Sequence, residues 1–199
     1  MPDAEGQTLS YEDGARAVEL AREAIEGFVR DGKREHPGSM RDAFYRRTGA
    51  FIRLESTRGR GSLRGCAGTY DADERLGDVI IETAIEAASD DSCGSAVTPS
   101  ELSNLRISVC IVTDRRRPTD PAETLEVGTH GVAIAEEPDG WLYPTVPVEQ
   151  HWSPREYLDR TCRKVDLPMG AWQDEDTTVV LFEGQVYRER DPGGSVQEV

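Results

Sequence analysis

The apolar residues of this chain change period along its length, and the order of those changes limits the folds open to it. Ala17, Ala21, Ala24, Ile25, Phe28 and Val29 recur at helical spacing behind Ser10, with Asp13 three residues on as an S-x-x-D cap and Gly32 as a C-cap. The period then drops to two, as Ala50, Ile52 and Leu54 alternate with Phe51, Arg53 and Glu55. A glycine-rich turn at Gly59 and Gly61 and a return strand over Cys66–Tyr70 follow. Helical spacing resumes over Leu76–Ser89. Thr98, Pro99 and Glu101 form a capping box that opens a short helix. Leu105–Val112 alternates again, and Arg115, Arg116, Arg117 and Pro118 break it. Two strands are predicted over His130–Ala135 and Trp141–Tyr143, joined at Pro138, Asp139 and Gly140. Ser153, Pro154 and Glu156 open a third long helix with Tyr157, Leu158, Thr161, Cys162 and Val165 inward. Thr178–Glu189 is one long strand, or two broken at Gly184, and the tail over 190–199 is expected to be disordered.

Neighbouring strands are therefore joined by short turns, not by regular crossover helices. That order predicts an α+β fold, a mixed or mostly antiparallel sheet flanked by helices. At 199 residues the chain is one large domain or two small subdomains sharing a core.

Charge narrows the setting. Asp and Glu number 38 against 23 Lys and Arg, a net charge of −15, and Lys33 and Lys164 are the chain's two lysines. In molar salt the screening length falls to about 3 Å. Carboxylates then stop repelling one another, while the surface they make stays hydrated. An acidic, arginine-rich, lysine-poor chain is thus expected in a salty cytoplasm. The same charge argues against nucleic acid as a partner, because phosphate contacts weaken in molar salt. No apolar run reaches the roughly 20 residues of a membrane helix, and the polar opening Met1–Leu9 lacks the pattern of a signal peptide. A cytoplasmic chain with no membrane partner is expected. Cys66, Cys93, Cys110 and Cys162 form no C-x-x-C and no zinc spacing with the three histidines, so four free thiols, no metal and no cofactor are expected.

The densest local feature is Leu63-Arg64-Gly65-Cys66-Ala67-Gly68-Thr69. Its glycines admit a ligand or a second backbone, and an arginine near a thiol favours the thiolate. A strand cysteine bracketed by packing glycines fits the same residues. Pairing of the two strands across Arg58–Gly61 would place Arg64 and Cys66 on one face.

This motif resembles the L-R-G-C-x-G-T signature of the AMMECR-one domain family, and the resemblance runs from Leu9 to Glu189. Glu101-Leu102 with Leu105, Ile107, Ser108 and Val109 is similar to the family's E-L-x-x-L-x-[IV]-S-[VI] stretch. Gly128-x-His130-Gly131-Val132 resembles its G-x-H-G-[LI] turn. Tyr143-Pro144-x-Val146, Glu149 and Trp152 resemble its L-P-Q-V-x-x-E-x-x-W segment, and Tyr157-Leu158 to Leu167 its closing helix. Two stretches depart from the pattern: Asp90–Val97 replaces D-P-R-F-x-P, and Thr145 stands at the glutamine of P-Q-V. The resemblance implies a larger and a smaller subdomain and an activity not yet established. It also implies association with a Memo-type protein and a radical SAM protein in an undefined modification pathway.

Two main readings follow. The chain is a non-autonomous subunit or adaptor in that pathway, or it is an enzyme. In the second, Cys66 is the nucleophile, Arg64 stabilises the thiolate, and His130 or Glu149 is the acid–base partner. Arg64, Gly65, Gly68, Thr69 and Trp152 are the candidate binding residues in either case. No local spacing ties Cys66, His130 and His151 into a metal site.

Overall fold

The computed structural model describes residues 8–38, 40–58, 62–89, 95–134 and 140–199. They fall into two compact units.

The larger unit comprises Gln7–Val112 with Gly184–Val199. Its first helix, α1 (Tyr11–Asp31), starts where Ser10 Oγ accepts the Asp13 amide and ends at Gly32, whose φ of 65° is the left-handed cap that glycine allows. The strands β1 (Ala50–Ser56) and β2 (Ser62–Thr69) pair antiparallel, with Arg53 opposite Cys66 and Phe51 opposite Gly68. The turn glycines Gly59 and Gly61 lie outside the described residues. β2 begins four residues before the predicted return strand, since Ser62, Leu63 and Gly65 continue the ladder, with Arg64 at a bulge between them. Helix α2 (Leu76–Ala88) packs on β1, β2 and α1. Strand β3 (Leu105–Arg116) pairs with β1 along Leu105–Ile111. One face of this sheet, with Ile52, Leu54, Ala67, Ile107 and Val109, closes a core with Ala17, Ala21 and Ile25 of α1 and Ile80 and Ala84 of α2.

Three expectations are corrected here. The short helix predicted behind Thr98 is a single 3-10 turn, Leu102–Asn104: the Glu101 carboxylate accepts the Thr98 amide at 2.8 Å as a capping box would, but β3 starts at Leu105 and leaves no room for a further turn. Arg115 and Arg116 extend β3 instead of breaking it, because their outward side chains satisfy themselves in solvent or on carboxylates; the strand ends before Pro118. The tail expected to be disordered turns back at Asp191–Gly194 and adds β7 (Val196–Glu198), antiparallel to β6 (Val179–Glu189). Gly193, at φ 67°, makes that turn.

The smaller unit, Thr113–Glu183, contains the short helix α3 (Pro121–Thr124) and strands β4 (Gly131–Ile134) and β5 (Gly140–Leu142). It also contains α4 (Thr145–Gln150), a helix not foreseen, and α5 (Pro154–Lys164). The full capping box at Ser153 and Glu156 that the sequence predicts is present on α5. β4 pairs antiparallel with β5 and with the start of β6 (Val179–Glu189), a single strand unbroken at Gly184. The connection at Ala135, Pro138 and Asp139 lies outside the described residues. Val132, Ile134, Tyr157, Leu158, Cys162 and Leu181 form this unit's own core. β3 and β6 each run from one unit into the other along the chain. The architecture is the α+β arrangement of antiparallel strands and flanking helices that the periodicities predict.

Candidate functional site

In the larger unit the conspicuous motif is tied into the fold residue by residue. Arg64 points its guanidinium fork at Glu101: Nε donates to Oε1 at 2.6 Å and Nη2 to Oε2 at 3.1 Å. Its remaining N–H groups donate to the carbonyls of Ser95 at 2.6 Å and Ala96 at 3.0 Å. The fork-on-carboxylate geometry is the strong form of this interaction. Gly65 lies beneath α2, where a Cβ would stand 2.0 Å from the Ala87 carbonyl oxygen. Gly68 lies on its cross-strand partner, where a Cβ would stand 2.2 Å from Phe51 Cδ1. Thr69 Oγ1 donates to the Asp71 carbonyl and accepts its amide, closing the turn after β2. Cys66, half-buried and in no disulfide, stands opposite Arg53 in the β1–β2 register.

The smaller unit holds the other candidates. His130 is 1% exposed. The Glu126 amide donates to its Nδ1 at 2.9 Å, and its Nε2 lies 3.2 Å from Glu183 Oε1. Arg116 Nη2 meets the same Nε2 and lies 3.3 Å from Glu183 Oε1. Tyr157, fully buried, directs its hydroxyl at the carbonyls of Leu142 and Tyr143, at 2.8 and 3.0 Å; burial pushes its pKa up. Glu149 is exposed on α4, and exposed His151 caps that helix in the left-handed region at φ 56°. Trp152 packs half-buried on the unit's core with the Arg160 guanidinium 5.4 Å above its ring. A cavity of about 430 Å³ in this unit is lined by Asp120, Glu123, Arg155, Trp172, Asp174 and their neighbours, none of them singled out from the sequence.

Cys110 and Cys162 are buried and in no disulfide, and burial pushes the Cys162 thiol up. Cys93 lies outside the described residues. Among the described residues no group of three His, Cys, Asp or Glu is placed to hold a metal. Sequence reading missed Glu101 as the partner of Arg64, Arg53 as the neighbour of Cys66, and Glu183 and Arg116 around His130. These partners come from distant segments: Arg64 and Glu101 are 37 positions apart, and no local spacing encodes such a pair. The usable signal was Glu101 itself, conspicuous as a carboxylate in a capping position.

The profile of the AMMECR1 family matches residues 18–187. The chain belongs to the AMMECR1 family. Protein VNG_2543C of Halobacterium salinarum, a halophile, is 60% identical over 197 residues, covering 95% of this chain and 94% of that one. Protein MK0488 of Methanopyrus kandleri is 34% identical over 202 residues, covering 97% and 96%. The crystal structure of PH0010 from Pyrococcus horikoshii superimposes with a TM-score of 0.89 at 32% identity, covering 96% of this chain and 98% of that one. The AMMECR1 fold is therefore shared along nearly the whole chain. Among the described residues no helix is long and apolar enough to cross a membrane.

Proposed function

We propose that this AMMECR1 domain is a non-autonomous subunit or adaptor that works beside a Memo-type protein and a radical SAM protein in one modification pathway. The observation that carries this reading is the use made of the L-R-G-C-A-G-T segment. Arg64 is committed to Glu101 and two carbonyls, Gly65 to α2, Gly68 to Phe51 and Thr69 to its own turn. The segment shapes a surface instead of presenting a set of unoccupied catalytic groups. His130 likewise has both ring nitrogens engaged inside the smaller unit. Affinity capture from native cells at high salt, with wild-type chain and with Cys66→Ser, tests the proposal. Memo-type and radical SAM proteins recovered equally by both support it; recovery of neither by the wild type contradicts it.

A second reading keeps Cys66 as a nucleophile, with His130 and Glu149 as acid–base candidates. The half-exposed thiol opposite Arg53 favours it, since a guanidinium beside a thiol stabilises the thiolate. Rapid alkylation of Cys66 at neutral pH, together with substrate turnover lost in Cys66→Ser, would establish it.

A further inference from the structure

The cavity of about 430 Å³ lies wholly within the smaller unit. Its apolar lining comes from Pro121, Val179 and Trp172, all buried. Trp172 is held in place by its ring N–H, which donates to Asp159 Oδ1 at 2.9 Å. Arg155 lies over that indole, its guanidinium carbon 6.0 Å from the ring centre. Arg155 and Asp159 stand one turn apart on α5, so a single helix both fixes the indole and sets the arginine over it.

The charges around the cavity are of both signs and do not meet. Asp120, Glu123, Asp174 and Glu175 line it as well, four carboxylates to the one guanidinium of Arg155. Among the described residues no carboxylate comes within ion-pair distance of Arg155, and no acceptor takes its N–H groups. The indole face supplies its contact instead and leaves the planar fork of donors for another partner. A simple anion would meet Arg155 but face four carboxylates. A simple cation would suit the carboxylates and leave Arg155 unpaired and repelled beside it. A molecule carrying both charges satisfies both sets. The excess of carboxylates calls for more positive charge than negative, and the apolar lining for an aliphatic stem. The cavity is of the size that holds small-molecule ligands.

We propose that this cavity binds a free basic amino acid. Its carboxylate takes the Arg155 fork, its cationic groups lie among the carboxylates of Asp120, Glu123, Asp174 and Glu175, and its methylene stem runs along the apolar lining. Contacts made at hydrogen-bond distance persist in molar salt, where charges farther apart are screened. The test is calorimetric titration of the full chain in about 2 M potassium chloride with L-lysine, cadaverine and L-glutamate. Cadaverine is lysine without its carboxylate; it keeps the stem and both ammonium groups. Lysine should saturate, cadaverine should bind about tenfold or more weakly, and glutamate should bind more weakly than lysine. Arg155→Gln should bring lysine down to the cadaverine level and leave cadaverine unchanged. Arg163→Gln, an exposed arginine in the last turn of α5, should leave all three unchanged. No saturation by lysine, glutamate binding as tightly as lysine, equal binding of lysine and cadaverine, or lysine binding untouched by Arg155→Gln each overturns the site. If Arg155→Gln does not fold, lysine against cadaverine on the wild type decides: equal affinities overturn it.

Discussion

The Arg64 guanidinium is the main reason the Glu101 carboxyl is held down to about 2 from an ordinary 4.5; the Thr98 amide and hydroxyl add to that, against some cost of burial. A carboxyl depressed in the folded state contributes stability that is present above its unfolded value and lost as pH falls through its folded value. The Glu101 contribution should therefore be intact near neutrality and disappear between about 4.5 and about 2. Comparing denaturation midpoints of wild type and Glu101→Gln across that window checks it: the difference between them should shrink steadily with acid. A constant difference would show that the Arg64–Glu101 pair is not what depresses the group. At this scale the sequence was a partial guide. Arg64, Gly65, Cys66 and Gly68 stood out because small and charged residues alternate in one short run. Their partners did not, because pairing at Glu101, Arg53 and Phe51 depends on which strands meet, and side-chain chemistry alone does not specify that.

Close packing at Gly65 ties β2 to α2, and the consequence is steric. A methyl group there would stand 2.0 Å from the Ala87 carbonyl, so strand and helix would have to part. Gly65→Ala should cost about 1–3 kcal/mol, the usual range for overpacking a tight interior. Chemical denaturation measures it, and an unchanged midpoint would mean that α2 is not seated on β2 as described. Elements with local codes were legible. Ser10 and Gly32 bound α1, and Ser153 with Glu156 opens α5, because capping residues satisfy backbone groups within one turn. Elements without such codes were not. α4 is six residues long with Pro147 inside it, too short for a helical period to register. β7 is a polar run, Val196-Gln197-Glu198, whose strand character comes from the β6 edge it pairs with. Arg115 and Arg116 were misjudged for the same reason: the end of a strand is set by its ladder and by Pro118, while charge only requires that the side chains reach solvent or a carboxylate.

Over the whole molecule, a net charge of −15 is a repulsive load that salt relieves. The thermal midpoint should rise between about 0.1 M and about 2 M potassium chloride, and a flat or falling midpoint would contradict adaptation to high salt. The fold class was legible at this scale because the sequence of periods, helix then paired strands, excludes a regular parallel sheet. The division at Thr113 and Gly184 was not, since it falls inside β3 and β6, strands whose alternation continues straight through it. A subunit role for the AMMECR1 domain is tested most directly by reconstitution. Purified wild type, Cys66→Ser and Arg64→Gln would each be mixed with the Memo-type and radical SAM proteins in about 2 M potassium chloride and resolved by size. Wild type and Cys66→Ser should co-elute with the partners equally, while Arg64→Gln, which leaves Glu101 unpaired, should lose both thermal stability and co-elution. Failure of the wild type to co-elute, or loss of co-elution in Cys66→Ser at an unchanged thermal midpoint, would contradict a role built on the motif's architecture.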